Sequence, residues 1–422
     1  MNPRLGAILA LLGGAVALAL ALEVFVVDFP GGLIVLACVF VALFAAWLAL
    51  LRRGLVRLLG ACVAALLVGA AIGVIFAGEN AVTLTIVLVS FLVAVSGARA
   101  AFRAERELPP APAPRRPVLF VNPRSGEGVA VREGLPEAAR GRGLETVVLE
   151  PGDDLEVLVR EAVGRGADGL AMAGGDGSQA LVAAIAAEHD LPYACIPSGT
   201  RNHFALDLGV DREDPIGALD AFVDGGERYV DLGEVNGRVF VNNVSLGVYA
   251  TAVSQERYRG AKLRTLLETM TETLGPDGEA LQLRWTDPEG RSQVSTVLVL
   301  VSNNPYRLGP TLGSGTRPRL DTGMLGVVDF HPPTPGTGEQ MRWRELRVPA
   351  LQIDADEPVP IGIDGESLTL EPPLRFRIIE RALRVRIAHS HPGASPSADI
   401  PHNAPDALRQ LLRTAADAPG VH

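Results

Sequence analysis

Three glycine-containing turns carry the residue types that bind phosphate groups. The first, NPRSG, covers residues 122–126, the second, GGDGS, covers 174–178, and the third, PSGTRNHFA, covers 197–205. Backbone N–H groups in such turns, together with the positive end of a helix dipole, accept phosphate oxygens. A single glycine turn that opens a helix is also ordinary packing, but three of them predict a nucleotide-phosphate site.

Strands that alternate with helices must position these turns. Residues 118–121, 145–150 and 169–173 have the apolar character of buried strands, and 153–164 has the periodicity of a helix. This alternation predicts βαβ units and a parallel sheet. Because the carboxyl ends of parallel strands meet at one edge, we expect the three turns to share one crevice in an α/β domain over 118–229.

The pattern changes after residue 229 to strands separated by turns. Residues 230–388 contain eight strand-like segments, which predict a β-rich, antiparallel, sandwich-like domain. One helical stretch, 255–274, mixes arginines with leucines and fits either an interfacial helix on anionic lipid or a solvated surface helix. The tail, 389–422, is predicted to be flexible, with a short helix near 405–416 and no chemistry.

The ordered motifs resemble the diacylglycerol kinase catalytic family, which includes sphingosine kinases and bacterial lipid kinases. Beyond the three turns, the resemblance rests on NNVSLGVYA at 242–250, SNNPYRLGP at 302–310, TRPRLDTGMLGVV at 316–328 and IDGE at 363–366. It covers about residues 117–388. The resemblance implies an ATP-binding α/β domain, a β-rich lipid-binding domain, and an active site in the cleft between them.

The resemblance also implies ATP and Mg²⁺ as cofactors and assigns roles to residues of this chain. Asp176 would organise the magnesium nucleotide directly or through water, since the transferred phosphoryl group needs its charge neutralised. Glu366 would be the general base that takes the proton from the lipid hydroxyl. Taken without the family, Asp364 and Gly365 also fit a two-residue hairpin turn. The implied nucleotide-site residues are Asn122, Pro123, Arg124, Ser125, Gly126, Gly174, Gly175, Asp176, Gly177, Ser178, Ser198, Gly199, Thr200 and Asn202.

Four positions differ from the usual pattern of this family. Ser178 stands where Thr is common, and Leu181 stands where Glu is frequent. His203 replaces a frequent Asp and is either a phosphate contact or a neighbour of a helix cap. Thr322 stands where many members have an Asp, which puts in doubt a structural magnesium site. Asp321 could substitute as the metal ligand by a one-residue shift.

The first 98 residues have the composition of a membrane segment, with seven of the 86 charged side chains of the chain. Four apolar stretches, each long enough to cross about 30 Å of hydrocarbon, are 5–22, 33–51, 55–77 and 81–97. The connectors alternate between basic and acidic, which places both ends of the segment in the cytoplasm. We therefore predict an all-α, four-span segment over 1–98, most simply an anchor or alternatively a lipid-presenting element, and a Pro-rich linker over 99–117.

Together these features predict a multi-pass inner-membrane lipid kinase with its catalytic part in the cytoplasm. A net charge of -10 argues against nucleic-acid binding, and three cysteines argue against a disulfide scaffold. Conversion of diacylglycerol to phosphatidic acid, a step of phospholipid biosynthesis, is the family default; a sphingoid base, a glycolipid or a polyprenol are other acceptors. A nucleotide sensor with weak or no catalysis is the alternative class. The expected partners are the lipid substrate and anionic inner-leaflet lipids, and a homodimer is compatible with the sequence.

Overall fold

A computed structural model describes residues 3–27, 37–38, 40–42, 44–45, 59, 62–67, 69, 81–102, 106–247, 282–295, 298–308, 315–331, 342–401 and 404–416. The chain forms two compact units. One consists of 1–104, 307–315 and 396–422, and the other of 105–306 and 316–395.

The described helices and strands are numbered in chain order. The helices are α1 (Pro3–Val27), α2 (Ala81–Ala101), α3 (Val129–Arg132), α4 (Leu135–Gly141), α5 (Leu155–Gly164), α6 (Asp176–Glu188), α7 (His203–Leu208), α8 (Pro215–Ala218) and α9 (Ala404–Ala416). The strands are β1 (Pro117–Val121), β2 (Glu145–Val148), β3 (Gly169–Gly174), β4 (Pro192–Pro197), β5 (Gly225–Val235), β6 (Arg238–Phe240), β7 (Asn243–Gly247), β8 (Leu283–Thr286), β9 (Ser292–Ser295), β10 (Leu298–Asn303), β11 (Leu325–His331), β12 (Arg342–Val348), β13 (Ala350–Asp354), β14 (Val359–Ile363), β15 (Glu366–Leu370) and β16 (Leu374–Ala388).

The predicted α/β part is confirmed. Strands β2, β1, β3 and β4 lie side by side in that order and pair in parallel. Every residue of β1, β3 and β4 is buried, as expected for parallel strands that are covered on both faces. Helix α5 begins after Asp154, whose carboxylate accepts hydrogen bonds from the N–H groups of Glu156 and Val157. The three glycine turns therefore follow the carboxyl ends of β1, β3 and β4, at one edge of the sheet.

The last long strand, β16, extends this first sheet. It pairs in parallel with β4 through Arg384–Arg386 and antiparallel with β5 and β13. The segments LRFRII and LRVRIA, which look like two strands in the sequence, are one strand with an irregularity between Ile379 and Leu383, where Arg381 has φ 49°. The predicted boundary at residue 230 falls inside β5, so one sheet continues from the α/β part into the β-rich part.

The β-rich part is also confirmed. A second, six-stranded sheet has the order β12-β11-β10-β7-β14-β15, and all of its pairings are antiparallel. Two hydrophobic cores fill this compact unit. One includes Phe120, Leu170 and Ile196 from the parallel strands, and the other includes Phe240, Val301 and Phe376.

The predicted membrane segment has partial support. Within the described residues, one helix, at Pro3–Glu23, is long and apolar enough to span a membrane. The fourth predicted span forms α2, whose apolar part, Thr85–Ala101, is shorter than a span. The second and third predicted spans lie largely outside the described residues. The four-span arrangement is therefore not supported by the structure and stays a prediction.

Candidate active site

The three glycine turns lie against one another, as the sequence predicts. A β-carbon at Gly199 in the third turn would lie 2.6 Å from Cα of Gly175 in the second turn. Gly126 in the first turn has φ 58°, and a side chain there would collide with the carbonyl oxygen of Ser198. Glycine is required at these two positions because only a bare backbone permits this close approach. The turns thus form one continuous backbone surface at the edge of the sheet.

A buried glutamine holds the second turn in shape. Gln179, in the first turn of α6, places Nε2 at 2.9, 3.2 and 3.0 Å from the carbonyl oxygens of Met172, Gly174 and Ile196, so its two N–H groups are shared among three acceptors. Its Oε1 accepts a hydrogen bond from the hydroxyl of Tyr193. This side chain ties the ends of β3 and β4 to the helix that follows the GGDGS turn. Sequence reasoning missed Gln179, since a polar residue at this position gives no signal of its buried contacts.

Asp176 connects the second turn to the third. Its carboxylate oxygens accept hydrogen bonds from the backbone N–H groups of His203, at 3.2 Å, and Phe204, at 3.1 Å, where α7 begins. An anionic side chain at unpaired helix amides is a favourable pairing. Burial lowers the pKa of His203 more than the nearby charges of Asp176 and Asp207 raise it. Helix α7 begins after Asn202, its N-cap residue, so His203 is the direct neighbour of that cap.

The third turn is closed by Asn202, which has φ 49°. Its amide nitrogen donates to the carbonyl of Gly199 at 2.7 Å, and its Oδ1 accepts from the N–H of Gly199 at 2.8 Å. In the same turn, the hydroxyl of Ser198 is buried and has no hydrogen-bond partner among the described residues. Buried polar atoms are almost always paired, so this hydroxyl is available to a bound ligand or to water.

The other predicted nucleotide residues surround this surface. Asn122 shapes the first turn by accepting a hydrogen bond at Oδ1 from the N–H of Arg124, at 3.0 Å. The side chains of Arg124 and Thr200 are exposed, and the hydroxyl of Ser125 lies 3.5 Å from the position that a β-carbon of Gly175 would take. The structure therefore brings all the predicted turns together. The role of each residue in holding ATP stays a prediction.

Glu366 lies directly over the N-terminus of α6. A β-carbon at Gly177 would lie 3.0 Å from Cδ of Glu366, so this carboxyl group occupies the space that a side chain at 177 would fill. Glu366 is far from the GGDGS turn in the sequence, but the hairpin of β14 and β15 delivers it there. The family resemblance and the geometry thus both bring the IDGE hairpin and the GGDGS turn together.

Asp364 fixes the hairpin that carries Glu366. With φ 45° at Asp364 and 94° at Gly365, the two residues form the tight turn that the sequence predicts. The carboxylate of Asp364 also accepts hydrogen bonds from the N–H groups of Val241, Asn242 and Asn243, at 2.8, 2.8 and 3.1 Å. Burial raises the pKa of Asp364 to about 7, although these three amides favour its ionised form. The hairpin turn of IDGE is therefore confirmed, whereas the role of Glu366 as a base stays a prediction that is compatible with this turn.

A buried arginine joins the α/β part to the β-rich part. Arg317 is fully buried, and its Nε lies 2.6 Å from Oδ2 of Asp207 on α7. Its other guanidinium nitrogens donate to Asn242 Oδ1, at 2.7 Å, and to backbone carbonyl oxygens that include that of Asn303, at 2.9 Å. The planar fork of an arginine suits such a multiple junction. The motif TRPRLDTG was noted in the sequence, but this role of Arg317 was not predicted.

A groove of about 450 Å³ begins at Gly177 and Glu366 and follows α6 toward Glu188. Its apolar wall consists of side chains from α6 and from the β-rich part: Leu181, Ile185, Val239, Ile363 and Leu368. Leu181 and Val239 pack on one hydrophobic core, whereas Ile363 and Leu368 pack on the other. The groove is therefore the cleft between the two cores, and Leu181 makes it more apolar than a Glu there would.

The surroundings of Asp321 do not fit a structural magnesium site. Burial alone would raise its pKa, but the hydrogen bond from Arg319 Nε, at 2.8 Å, and the charges of Arg228 and Arg106 lower it overall. The neighbouring Thr322 uses its backbone N–H to bond Oδ1 of Asn304 at 2.8 Å. In the part of the chain that the structure describes, no group of three or more His, Cys, Asp or Glu side chains could hold a metal. A carboxylate ringed by arginines is a poor cation ligand.

Comparisons with known proteins agree with the resemblance seen in the motifs. The sequence model of the diacylglycerol kinase catalytic domain matches residues 116–235. The protein named "Probable lipid kinase YegS-like" from Pseudomonas aeruginosa is 31% identical over 282 residues, which cover 61% of this chain and 87% of that protein. A diacylglycerol kinase of Mycobacterium tuberculosis is 36% identical over 120 residues, 28% of this chain and 39% of that protein.

One solved structure has a similar fold. It is titled "A putative diacylglycerol kinase from Bacillus anthracis str. Sterne", and it superposes with a TM-score of 0.50 over 66% of this chain and 99% of that chain, at 21% identity. At this identity the likeness concerns the fold alone.

Proposed function

Because the chain belongs to the diacylglycerol kinase catalytic domain family, we propose that it is a lipid kinase that transfers the γ-phosphoryl group of ATP to a lipid hydroxyl. The observation that carries this proposal is the position of Glu366, whose carboxyl group lies over Gly177 at the start of α6. A carboxylate at the phosphate end of a nucleotide site is where a general base for the attacking hydroxyl must stand.

The glycine turns supply the phosphate cradle in this proposal. The first N–H groups of α6 have no partner within the helix, so they can donate to phosphate oxygens. In the neighbouring turns, the N–H groups of Arg124 and Gly199 already donate to Asn122 and Asn202 and hold those turns in shape. Asp176 keeps the second and third turns together through its hydrogen bonds to His203 and Phe204. ATP arrives with its own Mg²⁺ as part of the substrate, and the family role of Asp176 toward that ion belongs to the proposal.

Glu366 is the residue that moves a proton. Its carboxylate would accept the proton of the lipid hydroxyl as the oxygen attacks the γ-phosphorus and ADP leaves. Glu366 is exposed, so an incoming hydroxyl can approach its carboxylate. The hairpin fixed by Asp364 holds the carboxylate against α6, which keeps base and phosphate cradle in one geometry.

The groove beside Glu366 is the proposed place for the apolar part of the acceptor next to its hydroxyl. Leu181, Ile363 and Leu368 form a part of its wall that an acyl or alkyl segment could contact. Charged side chains that include Glu156, Arg160 and Glu188 line the rest. Diacylglycerol is the acceptor we favour, with phosphatidic acid as the product. A sphingoid base, a glycolipid and a polyprenol have the same combination of hydroxyl and apolar chain.

A membrane location fits such a substrate. We propose that the N-terminal segment anchors the chain in the inner membrane, with α1 as a span and with both ends of the segment on the cytoplasmic side. Four spans are part of this proposal, as is contact with anionic inner-leaflet lipids. An anchored kinase encounters its lipid by diffusion within the plane of the membrane. A kinase of soluble substrates gains nothing from such an anchor.

The proposal is tested by incubating the purified full chain with γ-labelled ATP and a panel of diacylglycerol, sphingosine, glycolipid and polyprenol in mixed micelles. We expect label in at least one lipid. Because NAD is a soluble hydroxyl acceptor, it serves as the control substrate. Transfer to NAD with no transfer to any lipid would reject the proposal.

A further inference from the structure

The C-terminal helix α9 exposes leucines next to arginines along one face. Leu408 and Leu412 are each 52% exposed, one helical turn apart. Arg409 and Arg413, which follow them, are also exposed, whereas Ala407 on the opposite side is buried. Two exposed leucines at this spacing cost free energy in water, since each leaves apolar surface uncovered. A face of this kind fits a boundary between water and lipid.

Helices α1 and α2, in the same unit as α9, are packed as membrane helices are packed. The buried residues of α1 are small, with Ala7 and Ala21 fully covered, whereas its exposed residues are large, with Leu12 60% exposed. A β-carbon at Gly6 would lie 2.7 Å from the carbonyl oxygen of Gly97 on α2, so the two backbones touch. Small residues inside and large apolar residues outside are the reverse of a water-soluble helix pair.

The same contacts give the direction of the two helices. Gly6 lies against Gly97, and Gly13 lies against Ser90, so α1 and α2 are antiparallel. The start of α1 and the end of α2 therefore lie at the same end of the pair. That end carries Arg4 and Arg99, and positive charge at the end of an apolar helix marks the cytoplasmic boundary of a membrane.

Helix α9 is attached at this charged end. It packs against α1, and Arg4 donates from Nε to the carbonyl oxygen of Ala415 at 3.3 Å. Gln410 also donates to the carbonyl of Asp399 at 2.9 Å, which fixes the polar side of α9 to its own chain. The exposed leucines therefore lie on a helix that is attached to α1 beside Arg4, the residue that would meet lipid headgroups.

We propose that α9 is an interfacial helix that inserts Leu408 and Leu412 among the headgroups of an anionic phospholipid leaflet. The two arginines of the same face complement the negative lipid charge. Arg409 forms an ion pair with Asp406, whose carboxylate oxygen lies 3.1 Å from its guanidinium group. Arg413 has no ion-pair partner in the described part of the chain. Both arginines are exposed, so both can contribute to the preference for anionic lipid. This inference rests on the proposed membrane span at α1 but not on the proposed kinase activity.

The test measures the surroundings of single side chains of α9 in the full chain. The three native cysteines are replaced by serine or alanine, and single cysteines at 408, 412, 410 or 414 are labelled with a nitroxide. The protein is reconstituted in nanodiscs of phosphatidylcholine with phosphatidylglycerol. Collision with oxygen, which concentrates in lipid, is compared with collision with a water-soluble nickel chelate.

We expect labels at 408 and 412 to collide mainly with oxygen, and labels at 410 and 414, which are on the half-buried side, to be protected from both. Removal of phosphatidylglycerol, or Arg413→Gln, should shift labels 408 and 412 toward nickel, with about a fivefold weaker interfacial partition for the lost charge. Nickel access at 408 and 412 in anionic nanodiscs overturns the proposal. Dipolar broadening between labels at 412 also overturns it, because that outcome identifies a second copy of the chain as the occupant of this face.

Discussion

Because Gly177 lies against Glu366, adding one methyl group at position 177 tests where the carboxyl group of Glu366 lies. In Gly177→Ala, the new β-carbon would lie 3.0 Å from Cδ of Glu366. Carbon atoms in contact are normally about 3.5–4.0 Å apart, so the carboxyl group must retreat by about 0.5–1 Å. A misplacement of about 1 Å in a reacting group costs up to about 100-fold in rate. We expect kcat for lipid phosphorylation to fall by about 10- to 100-fold.

The same substitution should leave the fold intact. Gly177 lies in the first turn of α6 and has an ordinary helical backbone, so alanine there is tolerated and favours the helix by at most about 1 kcal/mol. Gly164→Ala is the matched control, since it is also a helical glycine but has nothing within 4 Å of its β-carbon position. The control should keep full activity with an equal or higher unfolding temperature.

A second substitution separates steric displacement from other effects. Glu366→Asp withdraws the carboxyl group by one methylene, which makes room for a methyl group at 177. The double variant Gly177→Ala, Glu366→Asp should therefore lose less activity than the product of the two single losses. Kinetic constants are measured with γ-labelled ATP and the lipid acceptor in mixed micelles. Wild-type kcat in Gly177→Ala, or strictly multiplicative losses in the double variant, would refute the placement of Glu366.

Three further predictions concern stability, the acceptor and pH. Arg317→Met should lower the unfolding free energy by about 3–5 kcal/mol, because it leaves Asp207 charged, buried and unpaired. The exposed Arg319→Met should change the unfolding free energy by less than about 1 kcal/mol. Thermal unfolding in detergent compares the two variants, and equal shifts would contradict the role of the buried junction. Leu181→Glu should raise KM for the lipid roughly tenfold and leave KM for ATP unchanged, since it places a charge in the apolar wall of the groove. A change in KM for ATP alone would contradict this. The native state holds the proton of Asp364 up to pH about 7 and the unfolded chain releases it near 3.8, so this group's contribution to stability falls as pH rises through that window. The stability difference between wild type and Asp364→Asn should therefore shrink with rising pH, and a difference that grows with pH would show that the pKa is not raised.

The parts of the fold that follow local patterns could be predicted from the sequence. The three glycine turns, the parallel strands before them and the hairpin at Asp364 and Gly365 all have short-range signals, namely apolar runs, turn residues and spacing. The helix predicted near 405–416 is present as α9. The exposure of Leu408 could not be predicted, because a sequence does not show which face of α9 packs against α1.

The long-range contacts could not be predicted. The strand β16 joins the parallel sheet beside β4, although nearly 180 residues separate them in the chain, and no local pattern encodes such a partner. Gln179 and Arg317 look like ordinary polar residues until burial gives their hydrogen bonds a structural role. The second and third predicted spans and the helix predicted at 255–274 lie outside the described residues, so these remain predictions.

The central claim is that Glu366 is the base of a lipid kinase, and the most direct measurement is phosphoryl transfer by Glu366→Gln alongside its affinity for ATP. Glutamine keeps the size of the side chain but cannot accept the proton. We predict that transfer from γ-labelled ATP to lipid falls by about 100-fold or more, within the range for general-base loss, while ATP binding measured by titration is unchanged. Wild-type transfer by Glu366→Gln would contradict the account, and binding of ATP without transfer by either protein would instead identify a nucleotide sensor.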